Sequence, residues 1–162
     1  VSLVYVQKQG GFMKKYIGVF VLVVFAAVLF VCKQLDAAQE SKAVYKKIYK
    51  ATAAKDGVKE ITYEQFMQIR NSKENFILLD VLSPDSFKEG HIDGSISFPL
   101  NTIKKDTASV KIPKGSNVVV YCGGFQCKAS TASAQKLSEF GYKVLDYKGG
   151  LKEWQEKGNK LV

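Results

Sequence analysis

The chain has 162 residues, of which 46% are apolar and 24% charged, with 13 Gly and 3 Pro, so collagen-like, low-complexity and wholly disordered classes are excluded. Three cysteines (Cys32, Cys122 and Cys127) and a single histidine do not make a disulfide scaffold or, without carboxylates, a four-ligand zinc set. The net charge of +9 is carried by Lys almost throughout, Arg70 being the one arginine; Lys lacks the planar fork that reads bases, so no nucleic-acid partner is expected.

Residues 1–12 precede Met13-Lys14-Lys15, which reads like an ordinary start. Gln9-Gly10-Gly11 can be encoded by a purine-rich stretch of the kind that bacterial ribosomes bind, so 1–12 is expected to be an untranslated upstream extension and the source bacterial. Tyr16 to Val31 then runs without a charge, after Lys14 and Lys15 and before Lys33. It has no polar face, as a core helix would, and its flanking charges keep the N-terminal end inside. Residues 13–38 are therefore read as a signal peptide or a membrane anchor. Sixteen residues reach about 24 Å of a roughly 30 Å hydrocarbon core, which leaves both open. Cys32 follows Val31 rather than the Gly or Ala of a lipid-attachment site. The expected location is exported: periplasmic, or anchored to the outer face of the cytoplasmic membrane.

Residues 39–56 form a Lys-rich helical spacer, with Val44, Tyr45, Ile48, Tyr49 and Thr52 on one side and Lys42, Lys46, Lys47 and Lys50 mostly opposite. Such a helix covers part of the following domain, or rests on anionic lipid.

From residue 57 to 162 short β-rich runs alternate with helical segments. The runs are Lys59–Tyr63, Phe76–Val81, Ser95–Phe98, Val118–Tyr121 and Lys143–Tyr147. The second and fourth are continuously apolar, as strands buried on both faces of a parallel sheet are. Helices are predicted over Thr62–Asn71, with Thr62 and Gln65 as a capping box, over Ser130–Phe140 before Gly141, and over Leu151–Lys157 before Gly158. The fold class is α/β: a central parallel sheet of about five strands with helices on both faces. Ligands in such sheets bind beyond the carboxyl ends of the strands, and the residue leaving the fourth run is Cys122.

Cys122 opens the loop Gly123-Gly124-Phe125-Gln126-Cys127-Lys128, which leads into a helix. A strand-loop-helix unit aims backbone N–H groups and a helix dipole at its first loop residue, so Cys122 is expected as a thiolate in a cradle suited to an anion or a persulfide. A buried structural cysteine is the plain alternative.

Three motifs carry a family resemblance. The first is Leu79-Asp80-Val81 with Pro84-Asp85-Ser86-Phe87, then Gly90-His91-Ile92-Asp93-Gly94-Ser95-Ile96 and Pro99; the second is Tyr121-Cys122 with its Gly-rich loop; the third is Tyr147-Lys148-Gly149-Gly150-Leu151 with Trp154. In this order they resemble a rhodanese domain over about 58–160. The resemblance implies a sulfurtransferase in which Cys122 takes sulfane sulfur from a small sulfur-containing anion such as thiosulfate and holds it as a persulfide. A thiol or other thiophilic acceptor, small or on a protein, then receives it, with no cofactor and no metal. Gly123 to Lys128, Cys127 included, would bind the substrate. Asp80 would support the site through backbone or loop contacts, and His91 would be structural.

Two departures stand out. Leu82 occupies the family's Arg position, and Leu137 lies two residues further from Cys122 than the family's helix Leu usually does. The longer loop matches the length of related phosphatase loops, but with Lys128 for their Arg. Cys127 admits a competing function, a thiol-disulfide redox protein using Cys122 and Cys127. A non-catalytic sensing or docking module is a third.

Overall fold

The computed structural model describes residues 24, 25, 27–30, 43–55 and 58–162. The chain divides into two compact units, 1–40 and 41–162. In the first unit, residues 24, 25 and 27–30 are helical and exposed. The expected upstream extension, and the rest of the export segment, lie outside the described residues. Among the described residues no helix is long and apolar enough to cross a membrane.

The second unit opens with α1 (Val44–Ala51), inside the segment expected as a spacer. Its Lys46, Lys47 and Lys50 face solvent, while Tyr45 and Ile48 are buried. The Tyr45 hydroxyl stands 2.7 Å from the Val118 carbonyl and 2.8 Å from that of Lys143, and accepts from the Val118 N–H at 3.2 Å. Ala43 offers no capping side chain. The Glu74 carboxylate caps the helix instead, accepting from the N–H groups of Val44 at 2.6 Å and Tyr45 at 3.0 Å. The helix is thus built into the domain, with its amphipathic side spent on the sheet.

Five strands follow: β1 (Glu60–Ile61), β2 (Ile77–Asp80), β3 (Ser95–Ser97), β4 (Asn117–Tyr121) and β5 (Lys143–Tyr147). They form one sheet in the order β1-β5-β4-β2-β3, and every pairing is parallel. Parallel strands need crossovers, and these lay helices on both faces. Along β4 the side chains alternate: Val118, Val120 and Cys122 join one buried cluster with Ala108, Ala134 and Leu137, whereas Val119 and Tyr121 join another with Tyr45, Phe66 and Trp154. That period of two, with both faces covered, is why the run reads as uninterrupted apolar sequence.

Around the sheet lie α2 (Tyr63–Asn71), α3 (Pro84–Glu89), α4 (Lys105–Lys111), α5 (Ala129–Glu139) and α6 (Gly150–Glu156). Thr62 and Gln65 close the capping box expected from sequence, at 3.3 and 3.0 Å. Two short helices were not expected. α3 has Ser83 as N-cap, accepting from the Ser86 N–H at 3.1 Å, and Pro84 in its first turn; α4 follows a 3₁₀ turn over Leu100–Thr102. Neither is long enough to display an apolar period, so local capping is the signal that could have found them.

Candidate active site

The carboxyl ends of β4, β2 and β5 converge on one loop. Cys122 is the first residue after β4 and is fully buried, on the side of the sheet that α4 and α5 cover. Its Sγ lies 3.2 Å from Ser130 Oγ and 3.6 Å from the Cys127 carbonyl, and the two thiols influence each other electrostatically. The loop between them is closed by the Cys127 N–H, which donates to the Gly124 carbonyl at 2.9 Å.

The loop is pinned from outside by the start of α6. Leu151 N–H donates to the Cys122 carbonyl and Lys152 N–H to that of Gly123, both at 3.0 Å. Gly150 permits this approach: it has φ +56, and a Cβ there would stand 2.1 Å from the Cys122 oxygen. The third sequence motif is thus the clamp of the second.

The two thiols are unequal, and this corrects the expectation of a thiolate at Cys122. Burial pushes the Cys122 thiol above its ordinary value, and the Cys127 side chain pushes the same way, although Ser130 hydrogen-bonds the sulfur through both hydroxyl and N–H. Cys127 goes the other way. Some burial penalises its anion, but hydrogen bonds from the Cys122 thiol and from the N–H groups of Ala129 and Gly123, with the charge of Lys148, bring it below the ordinary thiol value. Of the loop N–H groups expected around Cys122, those of Gly123 and Ala129 therefore serve Cys127, and that of Ser130 serves Cys122. Both cysteines are free thiols.

Gly123, Gly124, Phe125, Gln126 and Cys127 line a hollow of about 400 Å³. Cys122 is not in its wall. Phe125 and Gln126 are exposed. Lys128, expected with them, stands exposed at the residue before α5 and is absent from the lining. The basic residue of the wall is Lys152, with its side chain 72% exposed and 4.0 Å from Glu156. A hollow of about 600 Å³ between α1 and α2, lined by residues such as Val44, Tyr63 and Met67, is larger but contains no thiol.

Behind the loop, Lys148 Nζ donates to the Cys127 carbonyl at 2.5 Å and lies 2.8 Å from Thr131 Oγ1. Thr131 donates to Asp146 Oδ2 at 2.9 Å. Sequence reasoning did not assign Ser130, Lys148 or Lys152 to the site. The available signal was that residues leaving β5, beside β4, must face the same crevice.

The supporting residues lie beside it. Asp80 is buried at the end of β2 and accepts from the Leu82 N–H at 2.9 Å through Oδ1. Burial pushes its carboxyl up, against that hydrogen bond and a contact with Tyr121. Leu82, in the Arg position, is partly buried against the same core cluster that holds Cys122. His91 has Nδ1 2.9 Å from the Phe87 carbonyl, stacks on the Phe87 ring at 3.7 Å, and exchanges backbone hydrogen bonds with Val162. Those contacts fix a turn. Tyr121 anchors the next residues, its hydroxyl accepting from the Ile92 N–H at 3.1 Å and lying 2.8 Å from Ser95 Oγ. Among the described residues no three His, Cys, Asp or Glu side chains gather as a metal site would require.

The family model for the rhodanese-like domain matches residues 62–157, more than half of the chain. The chain belongs to the rhodanese family. It is similar to thiosulfate sulfurtransferase PspE of Escherichia coli strain K12, 33% identical over 75 residues that make up 46% of this chain and 70% of that protein. A sulfurtransferase of Allochromatium vinosum is 28% identical over 105 residues, 65% of this chain and 95% of the relative. Among solved structures, the BH2092 protein from Bacillus halodurans superposes with a TM-score of 0.58 at 29% identity, covering 64% of this chain and 75% of that one. This rhodanese-like domain thus has sulfurtransferases among its relatives, and its five-stranded parallel sheet is that of its structural neighbours.

Proposed function

We propose that this rhodanese-like protein is a sulfurtransferase that carries sulfane sulfur as a persulfide on Cys122. The donor is a small thiosulfate-like anion and the acceptor a thiol or other thiophile. The observation that carries this reading is the position of Cys122: at the end of the central strand, against Ser130, with its backbone clamped by α6. A persulfide there is shielded from bulk water, and catalysis is by preorganised hydrogen bonds rather than by a histidine base. Resemblance to named sulfurtransferases supports the same class.

The contact between the two thiols also favours a second reading, thiol-disulfide exchange through a Cys122–Cys127 bond. The experiment that separates them is intact-mass and peptide analysis after incubation with thiosulfate, without reductant. Sulfur transfer is expected to leave one added sulfur on the Cys122 peptide. A loss of two hydrogens across Cys122 and Cys127, with no sulfur gained, would replace transfer by exchange.

We also propose that 13–38 is a signal peptide or anchor delivering the domain outside the cytoplasmic membrane. The charge-free run from Tyr16 to Val31 behind Lys14 and Lys15 supports this. Export is expected to make the domain degradable by protease added to spheroplasts; full protection in spheroplasts would overturn it.

A further inference from the structure

We propose that Cys127 is the thiol that meets the donor: it takes the sulfane sulfur in the hollow and passes it inward to Cys122. This deepens the sulfurtransferase reading and rests on it.

Access comes first. Cys122 is fully buried and forms no part of the hollow's wall, whereas Cys127 is partly exposed and lines it. An anion in the hollow therefore reaches Cys127 Sγ without the loop opening. Charge comes next. Lys152 stands in the same wall and Lys148 lies behind Cys127, hydrogen-bonded to its carbonyl. Both attract a dianion and stabilise a thiolate. The third condition is a path inward: Cys122 Sγ lies 3.6 Å from the Cys127 carbonyl, and the two thiols act on each other electrostatically.

The steps balance without any redox reagent. Cys127 thiolate attacks the outer sulfur of thiosulfate; a Cys127–sulfur bond forms, the sulfur–sulfur bond of thiosulfate breaks, and sulfite leaves with the electron pair. The Cys122 sulfur then attacks the outer sulfur of the Cys127 persulfide. A Cys122–sulfur bond forms, the bond to Cys127 breaks, and the Cys122 proton passes to the Cys127 sulfur. As that proton departs, Ser130, 3.2 Å away, can turn its hydroxyl to donate to the new persulfide.

The test is a single-turnover reaction with excess thiosulfate, quenched at intervals, with sulfite measured and sulfur mapped by peptide. Wild-type protein is expected to show added sulfur on the Cys127 peptide before the Cys122 peptide. Cys122→Ser should still release one sulfite and hold the sulfur on Cys127, while Cys127→Ser should lose the sulfite burst. Wild-type labelling needs no variant and covers the case of a misfolded one: iodoacetamide, which alkylates persulfides as well as thiols, should trap the added sulfur on the Cys127 peptide before the Cys122 peptide. A normal sulfite burst from Cys127→Ser together with none from Cys122→Ser would overturn the relay and leave the sulfurtransferase reading intact. No sulfite from wild-type protein or either variant would overturn both.

Discussion

Asp146 is the most exposed to physical argument of the single residues around the site. It is fully buried in β5; its Oδ2 accepts from Thr131, its Oδ1 has no partner within bonding distance, and burial pushes its carboxyl up against the pull of Ser130, Thr131 and Lys148. A carboxyl held above its unfolded value contributes stability that is present below that value, about 3.9, and is lost as pH rises through the folded one. Asp146→Asn keeps an acceptor for Thr131 and cannot ionise. Its urea midpoint is therefore expected to fall less than that of the wild type between about pH 4 and neutrality. A steeper fall in the variant would mean that the Lys148 charge, and not burial, governs this carboxylate. Cys122 and Cys127 show the same competition at the thiols, where burial wins at one and hydrogen bonding at the other. Sequence could supply both cysteines and the glycines between them. It could not say which thiol the loop N–H groups would serve, because that depends on how the four intervening residues curl.

Between elements, two contacts should be separable by mutation. The first is the clamp of α6 on the loop. Gly150→Ala places a methyl group against the Cys122 carbonyl in a left-handed conformation. It is expected to cost more than about 1 kcal/mol of stability, and to reduce sulfur transfer by up to about a hundredfold by shifting the loop. Transfer at the wild-type rate from a folded variant would show that the clamp does not position the site. The second contact is α1 on the sheet. Tyr45→Phe leaves the Val118 and Lys143 backbone groups without the hydroxyl they share, and should cost about 1–3 kcal/mol in chemical denaturation. Transfer by the folded protein should be unchanged, since the hydroxyl lies at the opposite, amino-terminal end of β4 and β5 from Cys122; a parallel loss of activity would reveal coupling along β4. The sheet itself was legible in sequence, since its strands are the apolar runs and Thr62 and Gln65 announce α2. The short helices α3 and α4 were not; α6, equally short, was read over Leu151–Lys157 from the Gly158 that ends it, so for α3 the unread signal was its Ser83 cap with Pro84 rather than a period.

For the molecule as a whole, the α/β class and the place of Cys122 at a strand end could be argued from the apolar runs and the helical segments between them, and the family from three motifs. Lys148 and Lys152 entered the site only when β5 and α6 were seen beside β4, a relation that depends on strand order. Lys128 stayed outside because α5 begins immediately after it. The central claim is that this assembly stores sulfur on Cys122. The most direct measurement is steady-state transfer from thiosulfate to a thiol acceptor by folded Cys122→Ala protein beside the wild type. The account predicts that the wild type turns over, with added sulfur recovered on the Cys122 peptide, and that the variant transfers at background rate; turnover by the variant at the wild-type rate would contradict it.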